Sequence, residues 1–91
     1  MENTILVSYD LMVPGKDYEK LRDHLRSYPS WAKPLESLWL LKTEMNAEQV
    51  NETVMGYIDK NDKLFTIDVT GKEAAWYNLS QKISEWIKGN I

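Results

Sequence analysis

Few residue types in this chain could do chemistry, and their spacing narrows the choice. There is no cysteine and a single histidine, His24, so thiolate zinc centres, iron–sulfur clusters, disulfides and cysteine nucleophiles are excluded together. Without a second His or Cys, His24 cannot build a nitrogen-and-sulfur metal site, and its position between Leu21 and Leu25 predicts exposure on a helix. Ser8, His24 and Asp10 formally contain the members of a hydrolytic triad, but no G-x-S-x-G elbow or other context supports one. Gly15-Lys16 and Gly71-Lys72 resemble the end of a phosphate loop, yet neither has the glycine five positions earlier nor the following Ser or Thr.

The carboxylates remain. Asp10 falls at the carboxyl end of a strand, beside a loop containing Pro14-Gly15. A carboxylate there either accepts bonds from loop amides or holds a hard divalent cation. Asp68 is a tempting partner, but if the first and last strands pair antiparallel it lies near the opposite end of the first strand. At ~3.3 Å per residue the two are on the order of 10 Å apart, too far to share one metal within a subunit. Asp68 therefore reads as a solvated or hydrogen-bonded strand residue. Lys16, Lys20, Arg22 and Arg26 form the densest basic group, but Asp17, Glu19 and Asp23 interleave with them, as on a solvated helix laced with i,i+4 pairs. With 11 Lys and Arg against 14 Asp and Glu the net charge is −3, so contact with a phosphate backbone would need a local basic patch.

The elements that must position these residues follow from periodicity. Thr4 to Asp10 is β-branched and aromatic, with Ile5, Val7 and Tyr9 on one side and Leu6, Ser8 and Asp10 on the other, which predicts a first strand. After the Pro-Gly break, Asp17 is placed to start a helix carrying Tyr18, Leu21, Leu25 and Tyr28, closed by Pro29. Trp31 to Thr43 predicts a short strand, a bend near Glu36-Ser37 and a better strand over Leu38–Thr43. Asn46 with Gln49 has the form of a capping box, followed by a stripe of Val50, Val54, Tyr57 and Ile58 that ends in the polar turn Asp59 to Asp62. Lys63 to Thr70 alternates as a last strand, and its more apolar side, Phe65, Ile67 and Val69, suits the buried face shared with Ile5, Val7 and Tyr9. Glu73 to Lys88 places Trp76, Leu79, Ile83, Trp86 and Ile87 on one helical face.

The resulting order, β-α-β-β-α-β with an added C-terminal α-helix, is the ferredoxin-like split βαβ plan of an α+β protein. Its 91 residues fit one domain, since a split would leave two pieces too small to fold without staples. The N-terminus has no basic leader and the apolar run after it is too short to span a membrane, which predicts a cytoplasmic protein with no membrane partner. In this plan the sheet face away from the first two helices carries Leu6 and Leu64 among polar residues, a half-apolar surface suited to a protein partner or self-association.

Four short motifs, Tyr9-Asp10, Glu36-Ser37-Leu38-Trp39, Ala47-Glu48-Gln49-Val50 and Asn61-Asp62-Lys63-Leu64, together resemble in order and spacing the small CRISPR-associated protein two family. They are also similar, more loosely, to the virulence-associated protein D toxins of the same superfamily. The resemblance spans residues 4 to 70. It implies a homodimer whose sheets face one another and a magnesium-dependent endonuclease or interferase acting on RNA or DNA, in a CRISPR or toxin–antitoxin setting. Asp10 matches the strand-end Asp that in some members lies across the dimer axis from its twin, which makes it the implied Mg2+ ligand and catalytic residue. Tyr9 and Ser37 would support that site. Where the family has a final strand, this sequence carries the Trp-bearing helix. The competing expectation is a non-catalytic dimeric interaction module of the same fold, in which Asp10 serves loop geometry.

Overall fold

A computed structural model describes residues 2 to 91. Seven elements follow in the order β1 (Asn3–Asp10), α1 (Glu19–Arg26), β2 (Ser30–Leu35), β3 (Leu38–Thr43), α2 (Ala47–Met55), β4 (Lys63–Asp68) and α3 (Gln81–Asn90). The protein is thus a small α+β fold built on one four-stranded sheet of order β2-β3-β1-β4, antiparallel at every pairing. No helix among the described residues is long and apolar enough to cross a membrane.

β1 is one of the two inner strands of the sheet, paired along both edges. Val7 stands opposite Trp39 of β3 and Thr66 of β4. The odd-numbered residues Ile5, Val7 and Tyr9 meet Trp39 and Leu41 on one face, and Leu21 and Leu25 of α1 with Val50 and Val54 of α2 close over them. Removing this surface from water is the main force holding the two helices to the sheet. The capping box expected from Asn46 and Gln49 is formed in both directions: Asn46 Oδ1 accepts the Gln49 N–H at 2.8 Å, and Gln49 Oε1 accepts the Asn46 N–H at 2.9 Å. On the surface of α1, Arg22 and Arg26 pair with Glu19, and Arg26 also with Asp23. These contacts span three or seven positions rather than the expected four.

Two expectations are corrected. The alternation along β4 is present, but its phase is reversed. Ser8 faces Phe65 and Leu6 faces Ile67, while Tyr9, Val7 and Ile5 face Leu64, Thr66 and Asp68. Phe65 and Ile67 consequently stand 60% and 43% exposed on the face away from α1 and α2. A period of two fixes which residues share a side, not which side is buried. What tips the choice is α2: the inward Thr66 hydroxyl lies 3.2 Å from the Ala47 carbonyl oxygen and 3.1 Å from Asn51 Oδ1, so its polarity is satisfied on the helix-covered face.

The second correction concerns the terminal helix, expected from Glu73 and found only from Gln81. Asn78 sits at φ 62°, a left-handed conformation that ends any helical run through it. Ser80 then starts α3 by accepting the Ile83 N–H at 3.2 Å. The connecting segment crosses the second sheet face instead of coiling, and Trp76 Nε1 ties it to Ser84 Oγ at 3.0 Å. Trp86 Nε1 donates to Ser30 Oγ of β2 at 2.8 Å. The Thr4 hydroxyl, which donates to the Asn90 carbonyl, is also approached by Lys42 Nζ at 3.0 Å. The far end of α3 is thereby fastened beside the start of β1.

Candidate functional site

Asp10 ends β1 directly opposite Lys63, the first residue of β4. Its side chain is exposed on the sheet face away from α1 and α2, in a shallow depression formed with Ser8, Lys63 and Phe65. An ammonium-bearing neighbour at the adjacent cross-strand position is electrostatically favourable to the carboxylate but competes with a cation for it. Asp68 pairs with Ile5, at the other end of β1 from Asp10. Its Oδ1 accepts from the Thr70 N–H at 2.9 Å and the Thr70 hydroxyl at 2.6 Å, bonds that lower its carboxyl pKa. The two carboxylates are not brought together, as the antiparallel pairing requires.

Tyr9 and Ser37 fall differently about Asp10. Alternation along the strand turns Tyr9 to the opposite face, where the ring is buried and its hydroxyl accepts the Trp39 Nε1–H at 3.0 Å. Ser37 is exposed in the tight β2–β3 turn, and its carbonyl accepts the Tyr9 N–H at 3.2 Å, which sets it at the same end of the sheet as Asp10. Tyr9 thus braces the strand end from within the core, and Ser37 holds it through the backbone.

A second carboxylate organises this end of the molecule. Asp62 Oδ1 accepts from the Met12 N–H at 2.7 Å and the Tyr18 hydroxyl at 2.9 Å, and Oδ2 accepts from the Asp59 N–H at 2.7 Å. Burial opposes ionisation of Asp62, but these three donors and the nearby Lys16 outweigh it and hold the carboxyl below the usual range. Burial and the same contact push the Tyr18 hydroxyl up. Lys16 Nζ reaches Asp59 at 3.7 Å, so the loop after Asp10 is tied to the turn before Lys63 by one carboxylate and one ion pair. Sequence reasoning placed Asp62 in a polar turn and missed this role. The signal for it was the Asn61-Asp62 pair just before a strand, a common place for side chains that bind local backbone.

His24 is half-buried rather than exposed. It stacks on Tyr57 at 4.4 Å between ring centroids, and its Nε2 lies 3.2 Å from the Tyr28 hydroxyl. Burial lowers its pKa. These partners occupy the imidazole within a packing contact between α1 and the segment after α2.

Among the described residues no group of three or more His, Cys, Asp or Glu side chains could hold a metal ion. One chain offers a magnesium ion a single carboxylate at Asp10 with a lysine beside it. Magnesium in protein sites is held by one or two carboxylates supplemented by waters and substrate oxygens, so the remaining donors would have to come from outside this chain. Comparison of the chain with family models, with curated proteins and with solved structures finds no match.

Proposed function

We propose that this chain is a cytoplasmic, homodimeric member of the CRISPR-associated protein two and virulence-associated protein D superfamily. The strand order β4-β1-β3-β2, with α1 and α2 on one face, supports the ferredoxin-like plan. The observation that carries the dimer is the outward turn of β4. Phe65 and Ile67 are 60% and 43% exposed beside Leu6 and Ser8, next to Asp10, an apolar strip that a second copy would cover face to face. In that dimer two Asp10 side chains from facing sheets would supply the carboxylate pair that one chain lacks. A magnesium ion held there would activate water and neutralise charge on a scissile phosphodiester of RNA or DNA. Ser37 holds the end of β1 through its carbonyl, and Tyr9 fixes the strand from the buried side.

The test has two stages. Sedimentation analysis should give a dimer for the wild type and a folded monomer for Phe65→Asp; a wild-type monomer at all concentrations would overturn the assembly. The dimer should then release fragments from single-stranded RNA only with magnesium and lose this on Asp10→Ala with an unchanged melting temperature. Cleavage retained by Asp10→Ala would remove Asp10 from the reaction.

Lys63, directly across from Asp10, favours a second reading in which the dimer is a non-catalytic interaction module and the pair only fixes the strand end. If that holds, Lys63→Ala leaves the dimer without any magnesium-dependent cleavage. Under the catalytic reading the same substitution leaves cleavage intact or raises it.

A further inference from the structure

The strip around Phe65 lies on one edge of the sheet, and a second surface lies on the other. There β2 is an edge strand, and a cleft of about 290 Å³ runs between it and α3, lined by Trp31, Ala32, Lys33, Lys82, Ile83 and Trp86. We propose that this cleft binds a nucleotide unit, base and phosphate together, of single-stranded nucleic acid. Two indoles line it. Trp31 is 38% exposed, tilted 46° against buried Trp39 at 5.2 Å, so a base stacking on it meets a ring braced from behind. Trp86 is fixed from the α3 side by its 2.8 Å bond to Ser30. Base–aromatic stacking is tolerant of sequence because every base has a π-face.

The charge is one-sided. No carboxylate lines the cleft, and neither Lys33 nor Lys82 takes part in the ion pairs found among the described residues, which engage Lys16, Arg22 and Arg26. Lys33 lies over the Trp39 ring at 5.5 Å from its centroid. The nearest acid along α3, Glu85, is turned to Gln81 at 3.5 Å. Two lysines beside two indoles form a local basic and aromatic site on a chain of net charge −3, and they select an anionic aromatic ligand. An added peptide strand is disfavoured on this edge: Pro34 has no N–H to donate, and the β2–β3 register shifts between Ala32 and Leu35. The volume is at the small end for ligand pockets, which suits one nucleotide unit rather than a larger cofactor.

This inference stands apart from the Asp10 reading, since the cleft is at the opposite edge of the sheet and holds in a monomer or a dimer. The test uses the full chain and fluorescence anisotropy of labelled ten-nucleotide RNA and DNA homopolymers, with AMP and inorganic phosphate as competitors. Trp31→Ala should weaken oligonucleotide binding by about 5- to 150-fold, the range for loss of one stacked base, while Trp31→Phe retains most of it. Lys33→Gln combined with Lys82→Gln should reduce the slope of log affinity against log salt by about 0.7, the value for one phosphate contact on a single strand. Competition by AMP but not by phosphate supports a base-and-phosphate site, and binding of AMP alone, with no gain from the oligonucleotide, redirects it to free nucleotides. Oligonucleotide affinity unchanged in Trp31→Ala, whose fold is checked by circular dichroism, overturns the proposal, as does wild-type binding weaker than millimolar.

Discussion

The two faces of the sheet are covered by different means. On the first, α1 and α2 interlock with β1 and β3 through fully buried Trp39, Leu21, Leu25, Val50 and Val54. The second is covered by α3 and the irregular segment before it, which bury Ile87 and Leu40 but leave an apolar cavity of about 410 Å³ and keep Leu35, Phe65 and Ile67 exposed. The first face is closed by packing, as in the interior of any stable domain. The second is half-closed, with polar fasteners such as Trp86 to Ser30 and Trp76 to Ser84 standing in for close packing. The Asp10 depression and the Phe65 strip lie on the half-closed face, and the Trp31 cleft wraps the β2 edge between Trp31, which packs against Trp39 of the first face, and α3 on the second.

The sharpest way to break this contrast is to cut equally deep on both faces. Leu25→Ala should cost about 4 kcal/mol in urea unfolding, because a fully buried side chain of α1 is removed from a close-packed site. Ile87→Ala, beside space that already exists, should cost about 2 kcal/mol, the low end for such truncations. Equal losses would mean that both faces are packed alike.

Helix starts provide a milder comparison. Asn46→Ala removes a reciprocal capping box under the first face and should cost about 1 kcal/mol, whereas Ser80→Ala removes a one-way cap on α3 and should cost about 0.5 kcal/mol. Melting temperatures measured side by side decide the order, and a reversed ranking would place more of the stability in α3 than its packing suggests.

The smallest effect is acid sensitivity on the first face. Burial lowers the His24 pKa in the folded state, so this residue costs no stability above the unfolded value of about 6.5. Below it the unfolded chain takes up the proton first, and stability falls as pH drops. His24→Gln should flatten that part of the curve of stability against pH. A curve steepened by the substitution would contradict a depressed pKa.

The sequence made the first face legible and much of the second illegible, for physical reasons. Ile5, Val7, Tyr9, Leu21, Leu25, Val50 and Val54 follow regular periods because an element buried against a partner must repeat. The Asn46 and Gln49 box was readable because a cap is local. The phase of β4 was hidden, since Thr66 could turn inward only once Asn51 and the Ala47 carbonyl were in place. The start of α3 was hidden too: Trp76, Leu79 and Ile83 keep helical spacing across a segment that Asn78 breaks. At the candidate site, Asp10 was found by its strand-end position and Ser37 by resemblance. The tie from Asp62 to the loop after Asp10 escaped because two of its three donors, Met12 and Tyr18, are 50 and 44 positions away.

The central place of β1 also has a consequence for synthesis. It precedes both of its neighbours along the chain, β3, Leu38–Thr43, and β4, Lys63–Asp68. Until each emerges, one edge of β1 stands open, and an open edge is a template for pairing with another nascent chain. A fragment ending at Asp59 would keep that template permanently and should aggregate where the full chain does not. The strand that carries Phe65 is therefore also what covers the last free edge of β1 while the protein is being made, and β4 becomes the outer strand in its place.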